Sequence, residues 1–104
     1  MKYDVKQTPR ATEEIEEAER WWAFNRSYSS VTLSEAIEAL KESLRDKPRV
    51  GRIYRKRDPI VYRELVLHPS FRANWHLYWR IDEVNKIIIV VTLWPARKRS
   101  SPKL

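Results

Sequence analysis

Trp75-His76-Leu77-Tyr78-Trp79-Arg80-Ile81 and, beyond a short polar link, Ile87-Ile88-Ile89-Val90-Val91-Thr92-Leu93-Trp94 decide how this chain folds. The first stretch alternates strictly. Trp75, Leu77, Trp79 and Ile81 fall on one side, with His76, Tyr78 and Arg80 on the other, the pattern of a strand buried on one face. The second is apolar on both sides, as expected of a strand inside a sheet rather than at its edge. Asp82 to Lys86 turns the chain between them. A turn at Val84-Asn85 would pair Glu83 with Lys86 and set Trp75 opposite Trp94.

Working outward, Ile60 to Leu67 is rich in β-branched and aromatic residues and is closed by His68-Pro69, so it reads as a further strand. The segments Pro48-Arg49-Val50-Gly51 and Arg55-Lys56-Arg57-Asp58-Pro59 read as loop. Ahead of them lie two amphipathic helices. Thr8-Pro9 is a cap followed by proline at the first helical position. From there Ala11, Ile15, Ala18 and Trp22 make one apolar stripe of a helix over about 9–26. After a polar break at Ser27 to Ser30, Leu33, Ile37, Leu40 and Leu44 make the stripe of a second helix over about 30–47. Thr32 and Glu35 have the spacing of a capping box, and Pro48 ends the helix. Lys2 to Gln7 alternates as a short first strand. The expected class is α+β in the order β-α-α-β-β-β, an antiparallel sheet with a helical hairpin packed on one face. Residues 1–104 make one domain, and 97–104 are expected to be a loose basic tail.

Composition narrows the function. The chain has 104 residues, a formal charge of +7 and no cysteine, which removes disulfides, thiolate metal sites and thiol nucleophiles. Charge is divided unevenly. Residues 1–46 carry seven Lys/Arg and ten Asp/Glu, whereas residues 47–104 carry fourteen and four. A back half so basic is suited to meeting an anion, either nucleic acid or an acidic protein. Met1-Lys2-Tyr3-Asp4 has no apolar core of a signal peptide. The longest apolar run is also far shorter than the about 20 residues of a membrane-spanning helix. A cytoplasmic protein without a membrane partner is therefore expected.

No sequence motif announces catalysis. Glu13, Glu14, Glu16, Glu17 and Glu19 fit a solvated helix face better than an acid/base pair. His68 and His76 have no carboxylate pattern that would make a metal site. One glycine cannot build a phosphate-binding loop, and no cofactor is expected. His76, Tyr78 and Arg80 share a strand face and would make a small phosphate-handling group, though wet-face residues of a sheet look the same. Trp22, Trp75 and Trp79 are better read as core than as base-stacking platforms. The cations Arg49, Arg52, Arg55, Lys56 and Arg57, with Arg97, Lys98 and Arg99, are the strongest candidates for contacting a target.

Element order and several local signatures resemble the ParE/RelE toxin superfamily. They are Lys2-Tyr3-Asp4-Val5 followed by Thr8-Pro9 and a glutamate-rich helix, Lys47-Pro48-Arg49-Val50-Gly51, His76-Leu77-Tyr78-Trp79-Arg80-Ile81-Asp82, and Leu93-Trp94-Pro95-Ala96-Arg97-Lys98-Arg99. The resemblance implies the toxic half of a type II toxin–antitoxin pair, held inactive by a cognate antitoxin. RelE-like members cleave messenger RNA on the ribosome; ParE-like members poison DNA gyrase. Carried over by position, the nuclease set is incomplete. Arg63 matches one basic position, but Leu65 stands at a second and Trp75 at a third-strand arginine, and Arg97 or Arg99 would supply the last. No Tyr, Phe, His or acid follows Trp94. Metal-free RNA cleavage needs a base and an acid, and arginine is a poor base. The resemblance thus points to a ParE-like gyrase inhibitor rather than an enzyme. The alternatives are a ribosome-dependent endonuclease using Arg63, His76, Arg80 and Arg97, or a non-toxic relic that only binds its partner.

Overall fold

A computed structural model describes residues 2–25, 32–70 and 73–104. Its elements are β1 (Asp4–Gln7), α1 (Pro9–Phe24), α2 (Leu33–Asp46), β2 (Arg52–Arg57), β3 (Ile60–Ser70), β4 (Ala73–Asp82) and β5 (Ile87–Pro95). α1 starts at Pro9 as expected, whereas α2, expected from about residue 30, starts at Leu33 behind its Thr32 cap. The Thr8 hydroxyl accepts from the Ala11 amide, and Thr32 with Glu35 completes a capping box. The stripes Ala11, Ile15, Ala18, Trp22 and Leu33, Ile37, Leu40, Leu44 are the buried residues of the two helices. The expected break at Ser27 to Ser30 lies outside the described residues.

The sheet has five strands in the order β1-β5-β4-β3-β2. The meander β2-β3-β4-β5 is antiparallel, but β1 joins β5 in parallel, Asp4 beside Ile87 and Gln7 beside Val90. A sheet antiparallel throughout was expected. The helical hairpin between β1 and the meander returns the chain so that β1 lies alongside the last strand, where no tight turn dictates direction. The second departure is β2. Arg52 to Arg57 holds four cations in six residues, which lowers strand propensity and hides the element. As the outer strand of the sheet it can carry them, and charge there discourages edge-to-edge pairing.

The third departure sets which residues face which way. Trp79 pairs with Val90 as the expected turn requires, but Tyr78 pairs with Thr92, leaving Val91 as the extra residue of a β-bulge. Beyond it the register slips by one, so Trp75 opposes Pro95 and His76 opposes Trp94. Leu93 is thereby carried into the core beside Leu77, and Trp94 goes to the other face. Glu14 of α1 meets the bulge, accepting from the Thr92 hydroxyl at 2.5 Å and the Leu93 amide at 3.3 Å.

The core lies between the helices and one sheet face, with Trp75, Leu77, Trp79, Ile88 and Val90 fully buried. The Trp79 indole donates to the Pro48 carbonyl at 2.9 Å, tying the loop after α2 to the sheet. Gly51 in that loop has φ +82°, and a Cβ on it would stand 2.4 Å from the Glu64 carbonyl oxygen. Only glycine fits such a position. The C-terminal segment, expected to be loose, folds back on the body. The Trp94 indole donates to the Ser100 carbonyl at 2.7 Å, Pro102 is buried, and Arg10 donates to the Lys103 carbonyl at 2.5 Å.

Candidate functional site

The face of the sheet away from the helices is built by alternation. β4 sends His76, Tyr78 and Arg80 there; their partners in β3 are Val66, Glu64 and Tyr62. β2 adds Arg52, paired with Glu64, and a bulge between Ile53 and Arg55 gives the strand Tyr54 as its extra residue. The Tyr54 ring meets Tyr78 edge-on at 4.6 Å, and the Arg55 guanidinium lies 5.5 Å over Tyr54.

Glu64 is the centre of this face, at 3% exposure the one buried carboxylate among the described residues. Arg52 Nε lies 2.5 Å from its Oε1, and His76 Nδ1 is 3.2 Å from its Oε2, in a direction that makes no hydrogen bond. Burial by itself would push the Glu64 carboxyl up. Hydrogen bonds from Tyr78 and Arg52, with the nearby charges of Arg52 and His76, outweigh that and hold it below the usual carboxylate range. Burial and the bond to Glu64 push the Tyr78 phenol far above its ordinary value. The acid is therefore fixed as an anion and the phenol as a neutral donor. The imidazole of His76 stacks on Tyr78 with an interplanar angle of 17°. Arg52, Tyr54, Glu64, His76, Tyr78 and Trp94 line a pocket of about 230 Å³, walled on its far side by Lys98 to Pro102.

The expected site residues divide between the two faces. His76, Arg80, Arg52 and Arg55 belong to the open one, with Lys98 and Arg99 on the wall of its pocket. Arg63 pairs with Trp79, on the covered side, and donates to the Arg49 carbonyl at 2.9 Å. Arg97 is also on that side, its guanidinium 4.5 Å over Trp21 and 5.8 Å over Trp75. Arg49 is paired with Glu83. Lys56 and Arg57 are exposed on the outer strand, and the Lys98 ammonium lies 4.4 Å over Trp94. Among the described residues no group of His, Cys, Asp or Glu is arranged to hold a metal, and no helix is long and apolar enough to cross a membrane.

Sequence reasoning missed Glu64, Tyr54 and Trp94. The first was findable, since alternation along Ile60 to Leu67 puts Tyr62, Glu64 and Val66 opposite Arg63, Leu65 and Leu67. The other two depend on bulges, which leave no mark in an apolar pattern.

The chain resembles known toxins in both sequence and structure. No protein of curated function matches it. The free-state structure of a mutant E. coli RelE toxin, with two arginines replaced by alanine, superposes with a TM-score of 0.63 at 16% identity, covering 93% of this chain and 86% of that one. The RelBE2 toxin–antitoxin complex of Mycobacterium tuberculosis gives a TM-score of 0.49 at 16% identity, covering 91% of this chain and 99% of that one. The fold is thus the RelE-like one. The family model for the ParE toxin of the type II toxin–antitoxin system parDE matches residues 5–99. The chain belongs to the ParE toxin family.

Proposed function

We propose that this toxin inhibits DNA gyrase by binding it in the cytoplasm, through the cations of the open face and C-terminal segment, and that a cognate antitoxin neutralises it. One observation carries the choice of a binder over a nuclease. Of the four residues a nuclease would draw on, Arg63 and Arg97 lie on the covered side and only His76 and Arg80 on the open one. They cannot converge on one phosphate. The remaining open-face cations, Arg52, Arg55, Lys98 and Arg99, act as fixed charges, which suits recognition of an acidic or phosphate-bearing surface. The test is a supercoiling reaction with purified gyrase, relaxed plasmid and this protein. Inhibition that weakens in Arg52→Ala and Arg99→Ala is expected. Undisturbed supercoiling at toxin excess contradicts the proposal.

A second reading has an observation of its own. His76 beside the buried Glu64, in a pocket with Arg52, Lys98 and Arg99, brings an imidazole, a carboxylate and cations together. These would serve ribosome-dependent messenger RNA cleavage, with His76 as the acid/base group. That reading predicts that His76→Gln removes toxicity; the gyrase reading predicts that it does not.

A further inference from the structure

Two parts of the chain far apart in sequence, the first two turns of α1 and the segment after β5, are joined in one closed circuit of contacts. It starts at the β-bulge. The extra residue at Val91 puts Trp94 on the open face, and Glu14 of α1 holds the bulge through the Thr92 hydroxyl and the Leu93 amide. On the open face the Trp94 indole donates to the Ser100 carbonyl at 2.7 Å, and the Lys98 ammonium lies 4.4 Å over the same ring. The segment continues past the buried Pro102 to Lys103, whose carbonyl accepts from Arg10 Nη1 at 2.5 Å. Arg10 closes the circuit, since its Nε lies 3.5 Å from Glu14 Oε2.

The stretch held in this way is basic. Lys98 and Arg99 stand between a turn, closed by the Lys98 amide on the Pro95 carbonyl at 3.1 Å, and the fastening at Ser100. Both line the pocket that also holds Arg52. Like charges around one pocket repel, so an unfastened segment would carry Lys98 and Arg99 away into water. The Arg10 contacts are exposed and add little to global stability. Their effect is on order. A segment fixed before its target arrives no longer loses that freedom on binding.

We propose that Arg10 and Glu14 form a clasp, positioning residues that hold residues 98–103 against the open face so that Lys98 and Arg99 meet an acidic or phosphate-bearing target already in place. This rests on the target-binding reading above and adds the residues, on the other side of the molecule, that the reading depends on.

The test uses the full-length protein as wild type, Arg10→Gln and Glu14→Gln. Glutamine at 14 keeps an acceptor for Thr92 and Leu93 but gives up the pairing with Arg10. The two changes move the net charge in opposite directions, and the clasp predicts one outcome for both. In ¹⁵N-labelled protein without a partner, the amides of Ser100, Ser101 and Lys103 loosen, their order parameters falling from about 0.85 to below about 0.6. Gyrase inhibition and growth arrest on expression each weaken about threefold to tenfold. Arg10→Lys, which can still donate to the Lys103 carbonyl, keeps the segment ordered. Arg10→Gln, on an exposed side chain, decides the matter if Glu14→Gln fails to fold. A segment equally ordered in wild type and variants, or already loose in wild type, overturns the clasp. Stronger inhibition by Glu14→Gln overturns it too, because the target would then be reading added positive charge and not order. If wild type leaves gyrase untouched, the gyrase reading falls. The clasp is then decided by segment order and growth arrest, where a shared loss in the variants supports it and no loss overturns it.

Discussion

The two faces of the sheet are made by alternate residues of the same strands, and they are stabilised by different physics. On the covered face Trp75, Trp79, Leu77 and Ile88 are dry and packed under the helices. Dispersion and the removal of apolar surface from water hold them, without direction and in proportion to area. On the open face Glu64 is nearly as buried but is held by directional hydrogen bonds from Tyr78 and Arg52, with His76 close by. A packed face tolerates any apolar shape that fits. A polar network in low dielectric is costly when half made. The covered face therefore specifies the fold, and the open face keeps its charged groups at fixed positions.

Adjacent residues of β4 give the largest contrast. Trp79→Ala removes a fully buried ring and its bond to Pro48, and we expect a loss of about 3–5 kcal/mol in denaturant titration. Tyr78→Phe, one residue away, keeps the ring but takes a hydrogen bond from the buried Glu64 carboxylate, so about 1.5–3 kcal/mol is expected. Equal losses would break the distinction between the faces.

Gly51 joins the two, because its loop carries Pro48 to Trp79 on one side while its Cα abuts the Glu64 backbone. Gly51→Ala adds a methyl where none fits, at a positive φ. About 1–3 kcal/mol of destabilisation is expected from the strain, visible as a lowered thermal midpoint.

Acid sharpens the contrast further. Because Glu64 is held below its unfolded value, its contribution is present above the ordinary carboxylate pKa of about 4.3. It is lost as the pH falls through the lower folded value. Unfolding measured from pH 6 down to pH 2 should show an acid limb that flattens in Glu64→Gln. Tyr78 has the opposite sign. Its raised phenol contributes fully below about pH 10, and that contribution is lost above it. Identical acid limbs for wild type and Glu64→Gln would show that the carboxylate is not held as described.

How much of this was legible in the sequence follows the same division. The covered face announces itself, since Trp75, Leu77 and Trp79, or Ala11, Ile15 and Trp22, repeat at the period of their element. Helix caps at Thr8 and Thr32 were equally plain. The open face was only half legible. His76, Tyr78 and Arg80 could be grouped from alternation, but Trp94 could not, because the extra residue at Val91 reverses the strand's faces without changing its composition. β2 was hidden because an outer strand can carry Arg52, Arg55, Lys56 and Arg57 as well as a loop can. Arg63 and Arg97 were matched by position along the chain, which says nothing about the face. Arg97 instead lays its charge on the rings of Trp21 and Trp75, a contact that joins α1 to the chain's end and has no local signature.

The smallest expected effect is that of His76→Gln on toxicity. The central claim is that the open face acts by fixed charge and not by proton transfer. The most direct measurement expresses wild type, His76→Gln and the double variant Arg52→Ala/Arg99→Ala without antitoxin, scoring growth, DNA-damage signalling and the integrity of ribosome-bound messenger RNA. A true general base is worth about 10²–10⁴ in rate, so His76→Gln is a severe test. The account predicts that His76→Gln arrests growth as wild type does, with DNA-damage signalling and intact messenger RNA, and that the double variant does not. Codon-specific cuts in messenger RNA that vanish in His76→Gln would contradict it.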